Sequence, residues 1–140
     1  MNTPSASPLR HAPTAARYLL GLAFFVFGLN GFLNVIPQPK EAMSAGATAL
    51  MGGFVASGYM FPLIKGTEFL AGILLLVNRY VTLALAILTP VLVNIVLFHA
   101  VLAPSGVAMG IILFVIHLYL AWAYRATYRP MLAAVVSPTV

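Results

Sequence analysis

The 140-residue sequence contains no cysteine and no aspartate, and its only acidic residues are Glu41 and Glu68. Without a thiol, the chain cannot run thiol–disulfide exchange, hold an iron–sulfur cluster through its own thiolates or build a thiolate metal site. Any redox chemistry would therefore need an electron-carrying group from a cofactor or a partner, and we expect no cysteine-based cofactor.

Charge is the second thing the sequence lacks, since charged residues make up 6% of the chain against about 25% in a soluble domain. Hydrophobic residues make up 62%, which is more apolar surface than a small soluble globule can bury. The net charge of +5 does not predict nucleic-acid binding, because the arginines lie at the ends of apolar segments, as topological anchors do. The sequence thus predicts a small, single-domain protein whose solvent is the lipid bilayer.

Four apolar segments are long enough to cross a bilayer at about 1.5 Å per residue. They run from Arg17 or Tyr18 to Ile36, from Phe61 to Asn78, from Val81 to about Leu102, and from Val107 to Tyr124. Pro90 lies within the third and is expected to kink it or loosen its backbone pairing. The first segment could instead be a cleaved signal peptide, although its apolar stretch is too long for one.

The stretch from Glu41 to Met60 differs in composition, because small and hydroxyl residues dominate it and four glycines weaken any long helix. We predict an interfacial or re-entrant helix here that ends near Gly58, with a full span as the alternative. The predicted fold class is therefore all-α, a four-transmembrane-helix bundle with an extra helix between helices 1 and 2. It comprises residues 17–132 and follows a disordered cytoplasmic tail over residues 1–16.

Orientation follows from the basic residues. All five arginines fall on the side that holds the N-terminus, the loop between the second and third spans, and the C-terminus. The other side holds Lys40, and Lys65 lies near the interface on that side. The positive-inside rule then predicts a multi-pass protein of the cell membrane with both termini in the cytoplasm.

Isolated polar residues gain meaning once their depth is assigned. Asn30, Glu68 and Asn94 fall about 2–5 Å to the outer side of the midplane, at 1.5 Å per residue. His117 falls near the midplane, and His99 nearer the outer surface. Buried polar groups in lipid need partners, so we predict that these side chains turn inward around one site. Lys65 is three residues from Glu68 and can share its helix face.

Each residue also has a purely structural interpretation. Glu68 could be an acid paired with Lys65 or a neutral hydrogen-bond donor, and Lys65 could simply extend to the interface. Asn30 and Asn94 could be hydrogen-bonding links between helices. His99 could be a satisfied interfacial side chain, and His117 could fix helix register. A metal site from the two histidines is disfavoured by their different depths, so no metal is expected.

Several runs resemble the DoxX-like family of membrane proteins. These are the run from Arg17 to Phe32, Glu68-x-x-x-Gly72, Asn94-x-x-x-Phe98-His99, and the run from Tyr119 to Arg125. The resemblance covers about residues 17–132 and implies a four-helix bundle in the cytoplasmic membrane. It also implies a link to thiosulfate:quinone oxidoreductase and to membrane-associated oxidoreductase complexes. Relatives by fold include eukaryotic membrane chaperones and cargo receptors, so the family does not fix one activity.

The leading hypothesis is a membrane subunit that binds a quinone or another lipophilic ligand. Glu68 and His99 are the candidate catalytic residues, with Glu68 exchanging a proton. His99 and Asn94 could donate hydrogen bonds to a quinone carbonyl. The candidate ligand-binding residues are Asn30, Lys65, Asn94 and His117. A membrane or soluble oxidoreductase partner would supply electrons, and a second copy of the chain is a further candidate partner. The alternatives are a non-enzymatic scaffold or assembly factor and a small proton-coupled transporter, for which a lone membrane carboxylate is a known device.

Overall fold

The computed structural model describes residues 11–37 and 43–138, and this part of the chain is built from helices. The helices of three or more turns are α1 (Ala12–Leu33), α2 (Ala45–Ala56), α3 (Met60–Leu76), α4 (Val81–Val101) and α5 (Val107–Ala123). A short α6 (Arg125–Tyr128) and two 3₁₀ turns, Pro104–Gly106 and Arg129–Leu132, complete it. Most of the predicted tail, together with Lys40 and Glu41, lies outside the described residues.

The ends of α3, α4 and α5 lie within two residues of the predicted bounds, and α4 stays helical through Pro90. Helix α1 differs, because it begins five residues earlier than predicted, at Ala12. Pro13 explains the early start, since proline in the first turn needs no N–H partner. Residues 12–16 are thus helical and do not belong to the predicted disordered tail. At the other end, Asn34 adopts the left-handed conformation (φ 49°) and ends the helix three residues before the proline at 37.

Helices α1 and α3 pack antiparallel at close range through a reciprocal pair of Phe-x-x-Gly sequences. Gly28 of α1 lies against the backbone of Phe69, and Gly72 of α3 lies against the backbone of Phe25. A β-carbon at Gly28 would come within 2.7 Å of the Phe69 Cα, and one at Gly72 within 2.8 Å of the Phe25 Cα. The two phenylalanine rings meet with centroids 5.2 Å apart. Glycine is required here because the backbones approach too closely for a side chain.

Helix α4 contacts α3 and α5, and α5 contacts α1, so these four helices share one core. Fully buried leucines and Phe24 fill that core. On length and composition, α1, α4 and α5 can each cross a membrane. Helices α2 and α3 meet at an angle of 90° across a short break. If this pair is taken as one broken span, the number of candidate spans rises to four. Three to four helices are therefore long and apolar enough to cross a membrane, which is consistent with a membrane protein.

The break between α2 and α3 falls near Gly58, where the glycine-rich composition predicts the end of a helix. Gly58 takes a positive φ of 72°, which a glycine adopts without strain. At the start of α2, the Ser44 side chain accepts a hydrogen bond from the Ala47 N–H (3.1 Å) and donates one to the Leu102 carbonyl (2.7 Å). Ser44 therefore caps α2 and ties it to the end of α4.

Candidate functional site: polar groups among apolar helices

Glu68 is buried, with 2% of its surface exposed, and it pairs with Lys65 one turn earlier on α3. The Lys65 Nζ donates a hydrogen bond to Glu68 Oε2 over 2.8 Å. The lysine side chain is 23% exposed, so the pair joins a buried carboxylate to an ammonium group at the surface. Gly31 of α1 makes room for this arrangement, because a β-carbon there would meet the aliphatic stem of Lys65. The predicted pairing of Lys65 with Glu68 is confirmed.

His117 is the second buried polar group, and its partner was not among the predicted residues. Its Nε2 lies 3.0 Å from the Thr89 hydroxyl of α4, which itself donates to the Leu85 carbonyl (2.9 Å). A hydroxyl has one proton, so Thr89 must accept from His117, and this network assigns the proton of the neutral ring to Nε2. Nδ1 is then an acceptor, and it is buried without a partner in the described part of the chain.

Glu68, Thr89 and His117 lie at a similar height in the bundle. Glu68 is eight residues before the end of α3, and Thr89 is eight residues after the start of α4. At about 1.5 Å per residue, both lie about 12 Å from the connection between these helices. The hydrogen bond that His117 donates to Thr89 places His117 at the same height on α5. Polar groups of three helices thus lie in one layer, in which Glu68 and His117 are buried and Thr89 is exposed.

Asn30 does not join this layer, because both ends of its side chain bind the chain that follows α1. The side-chain amide donates to the Ile36 carbonyl (3.1 Å), and the side-chain oxygen accepts from the Ile36 N–H (2.7 Å). Such paired bonds hold the loop against the helix end. The structure thus gives Asn30 a capping role and no part in a common inward site.

The predicted inward orientation is wrong for Asn94, whose side chain is exposed on the surface of α4. His99 is half-buried, and its Nδ1 lies 2.8 Å from the Ile95 carbonyl on its own helix. A carbonyl only accepts, so Nδ1 carries the proton of the neutral ring, and Nε2 is left as an acceptor beside Gly106. Neutral His99 therefore has no N–H to offer a carbonyl ligand, contrary to the expected role.

Sequence reasoning missed Arg17, which was interpreted only as a topological anchor. Its side chain is 4% exposed and donates from Nη1 to the carbonyls of Leu75 and Leu76 at the end of α3. The last carbonyls of a helix lack partners and carry partial negative charge, which suits a guanidinium group. Arg17 therefore joins the first turns of α1 to the end of α3.

These contacts leave no shared polar chamber of the predicted kind. One cleft of about 110 Å³ lies between α3 and α4 and is lined by Thr67, Leu70, Ala71, Leu74 and Ile87. A shallower groove of about 250 Å³ follows the C-terminal end of α1 beside Asn30 and Leu33. Both are almost entirely apolar. Within residues 11–37 and 43–138, no three His, Cys, Asp or Glu side chains come together as a metal site would need.

One comparison with known proteins establishes kinship. The chain is 32% identical over 122 residues to a protein of Bacillus subtilis (strain 168) named "Uncharacterized protein YwoB", and the match covers 83% of this chain and 79% of that protein. The chain belongs to the YwoB family. The name YwoB states no ligand, reaction or partner, so membership of this family does not assign an activity, and the DoxX-like resemblance stays a prediction. No family model and no solved structure matches this YwoB-family chain.

Proposed function

We propose that this YwoB-family protein is a four-span protein of the cell membrane that binds a lipid-soluble carbonyl compound of the quinone class beside Lys65 and Glu68. In this proposal it serves as a subunit of an oxidoreductase system whose other components carry the electrons. One observation carries the proposal: the buried carboxylate of Glu68 has an ammonium partner that reaches the surface of the helices. A buried ionisable group at membrane depth is expensive and is by default a functional-site hypothesis.

The membrane placement rests on the helices and the basic residues. We take α1, α3, α4 and α5 as the spans, and α2, which is at a right angle to α3, as an interfacial helix. Arg17 near the start of α1, Arg79 after α3, and Arg125 and Arg129 after α5 then lie on one side of the membrane. The positive-inside rule makes that side the cytoplasm.

Lys65 replaces Asn94 and His99 as the group that would hold a carbonyl ligand. An ammonium group has three N–H donors, and Lys65 gives one of them to Glu68. The Phe61 ring has its centroid 6.0 Å from Nζ and provides an apolar surface beside the donor. A quinone fits this site in kind, because it presents carbonyl oxygens on a flat apolar ring.

Glu68 would serve proton exchange. A bound quinone supplies carbonyl groups whose reduction takes up two electrons and two protons. Lys65 can pass a proton to or from the Glu68 carboxylate across their 2.8 Å hydrogen bond, and its partly exposed side chain reaches the outside of the bundle. The pair would thus orient the ligand and hold a proton close to its oxygen atom.

A thermal-shift titration tests the binding. Purified protein in mild detergent is titrated with a benzoquinone that carries a ten-carbon tail, and with the same hydrocarbon tail lacking a ring as ligand control. We expect the quinone to raise the melting temperature of the wild type and of Lys65→Arg, which keeps N–H donors, but not of Lys65→Met. A shift that is absent in the wild type, or equal in Lys65→Met, would contradict the proposal.

A non-enzymatic scaffold or assembly factor is the second candidate, and a specific observation favours it. The hydrogen bonds of three polar side chains, Asn30, Thr89 and His99, are made to other residues of the same chain. Both clefts are also almost entirely apolar. Recovery of one stoichiometric partner from gently extracted membranes, together with full function of Glu68→Gln, would favour this role. The proton-coupled transporter rests on the same carboxylate. Substrate-dependent proton flux in vesicles, lost in Glu68→Gln, would identify it.

A further inference from the structure

The surface of α4 carries a regular row of exposed side chains. We define the α4 stripe as the residues of this row, which are spaced four, three, four, three and four apart. They are Leu83, Ile87, Pro90, Asn94, Leu97 and Val101. This is the a/d spacing of a heptad seam, with Asn94 in an a position. Any face of a helix that meets lipid shows such spacing, so the spacing alone identifies no partner.

Asn94 is what sets the α4 stripe apart. The comparable exposed surface of α5 is apolar throughout and includes Met109, Ile112, Val115 and Leu118. Asn94 is the one polar member of the α4 stripe. Its carboxamide makes no hydrogen bond within residues 11–37 and 43–138, whereas Thr89 and His99 of the same helix do. The exposed stripe of α4 therefore carries a polar group without a hydrogen-bond partner among the described residues, whereas the exposed residues named on α5 carry none.

Depth makes this position unfavourable for a solitary carboxamide. Asn94 lies seven residues from the end of α4, which is about 10 Å at 1.5 Å per residue. The hydrocarbon core is about 30 Å thick, so Asn94 falls about 5 Å from its midplane. Its side chain is too short to reach the headgroups, as a lysine or arginine side chain would. Hydrocarbon offers no hydrogen-bonding atoms and no described residue supplies them, so we expect the partner to come from another protein chain.

We propose that the α4 stripe is the contact surface with a second copy of this chain, in which the two Asn94 side chains hydrogen-bond to each other. The inference rests on the membrane placement proposed above and is independent of the ligand. A carboxamide is both donor and acceptor, so it is complementary to itself across a two-fold axis. Two copies inserted in the same direction bring their Asn94 residues to the same depth automatically. A different partner would have to match that depth with a polar group of its own.

The chemistry also fits a known use of asparagine. In parallel two-stranded coiled coils, a single asparagine at an a position fixes the register and the number of strands. The flanking members Leu97 and Val101 are apolar and 56% and 72% exposed, so they are available to pack around the Asn94 pair. The stripe would therefore specify a dimer and exclude slipped pairings.

The absence of native cysteine allows a direct test by disulfide cross-linking. Leu97→Cys probes the α4 stripe, and Met109→Cys on α5 is the matched control. Leu97 is 56% exposed and Met109 54%. Both lie at a similar height, because Gly110 packs against Val96. Each variant is first checked for presence in the membrane fraction, so that a wrong membrane placement is recognised before oxidation. We expect a disulfide-linked dimer of the Leu97→Cys chain and at least about 5-fold less of it for Met109→Cys.

Asn94 is then changed in the Leu97→Cys background. Asn94→Gln keeps a carboxamide and should keep the cross-link, whereas Asn94→Leu should weaken association by about 5- to 30-fold. Because Asn94 is exposed, neither change disturbs the packed core, and unchanged far-UV circular dichroism checks this. Three outcomes would overturn the proposal: equal cross-linking at Leu97 and Met109, cross-linking that is indifferent to Asn94→Leu, or a disulfide product that contains a different protein.

Discussion

Replacement of Gly28 by alanine tests the close packing of α1 on α3. The new β-carbon would lie 2.7 Å from the Phe69 Cα, whereas ordinary van der Waals contact begins at 3.4 Å. The obstructing atoms belong to the backbone, so no side-chain rotation relieves the clash. The helices must instead separate by at least about 0.7 Å, which loosens the Phe25–Phe69 ring contact as well.

The expected effect can be isolated with a matched control. Gly66 lies in α3, and a β-carbon there would have no described atom within 4 Å. Both substitutions gain the same intrinsic helix preference of alanine over glycine, about 1 kcal/mol. Their difference is therefore the steric term alone, and overpacking of this kind costs about 1–3 kcal/mol. We expect Gly28→Ala to be less stable than Gly66→Ala by that amount.

Unfolding in mixed detergent micelles with increasing dodecyl sulfate, followed by far-UV circular dichroism, measures this difference. Gly72→Ala should behave like Gly28→Ala, because it meets the Phe25 backbone in the same way. One separation of the helices relieves both clashes, so the double variant should lose less than the sum of the single losses. Equal stability of Gly28→Ala and Gly66→Ala would refute the close-packing explanation.

Two further predictions concern buried polar groups. Lys65→Met leaves the Glu68 carboxylate without its partner and should destabilise the protein by about 1–3 kcal/mol. The double variant with Glu68→Gln should recover part of this loss. The same detergent unfolding measures both variants, and additive losses would contradict the pairing. Arg17→Met removes the hydrogen bonds to the end of α3 and should destabilise by about 1–2 kcal/mol. Arg79→Met, with the same charge change at an exposed position, should stay within about 0.5 kcal/mol; similar losses in the two arginine variants would show that charge alone matters.

Helix bounds and the Lys65–Glu68 pair could be predicted because both depend on local sequence. Apolar length, together with Gly58, Arg79 and Pro104 at the connections, marks where α3, α4 and α5 begin and end. A spacing of three residues brings two side chains to one face of a helix in any tertiary context. The prediction of an interfacial or re-entrant helix between helices 1 and 2, ending near Gly58, had the same origin, since glycine composition is a local signal.

The direction in which each helix faces could not be predicted in this way. Amphipathic contrast identifies the core side of a soluble helix, but helices that are apolar all round, such as α4 and α5, give no such signal. Asn94 was therefore expected inside and lies outside. Arg17 was missed for a related reason: its partners are carbonyls nearly sixty residues away, and their availability depends on how α1 packs on α3.

The contact between α1 and α3 also bears on how the chain enters a membrane during synthesis. With 17 residues, of which two are charged, α3 is a poor candidate for independent partitioning into hydrocarbon. The first helix, already emerged from the ribosome, offers it a grooved surface at Gly28 and Gly31 and a guanidinium cap at Arg17. Helix α3 would then pack against α1 before it enters the lipid, so that the translocation machinery releases the two helices together.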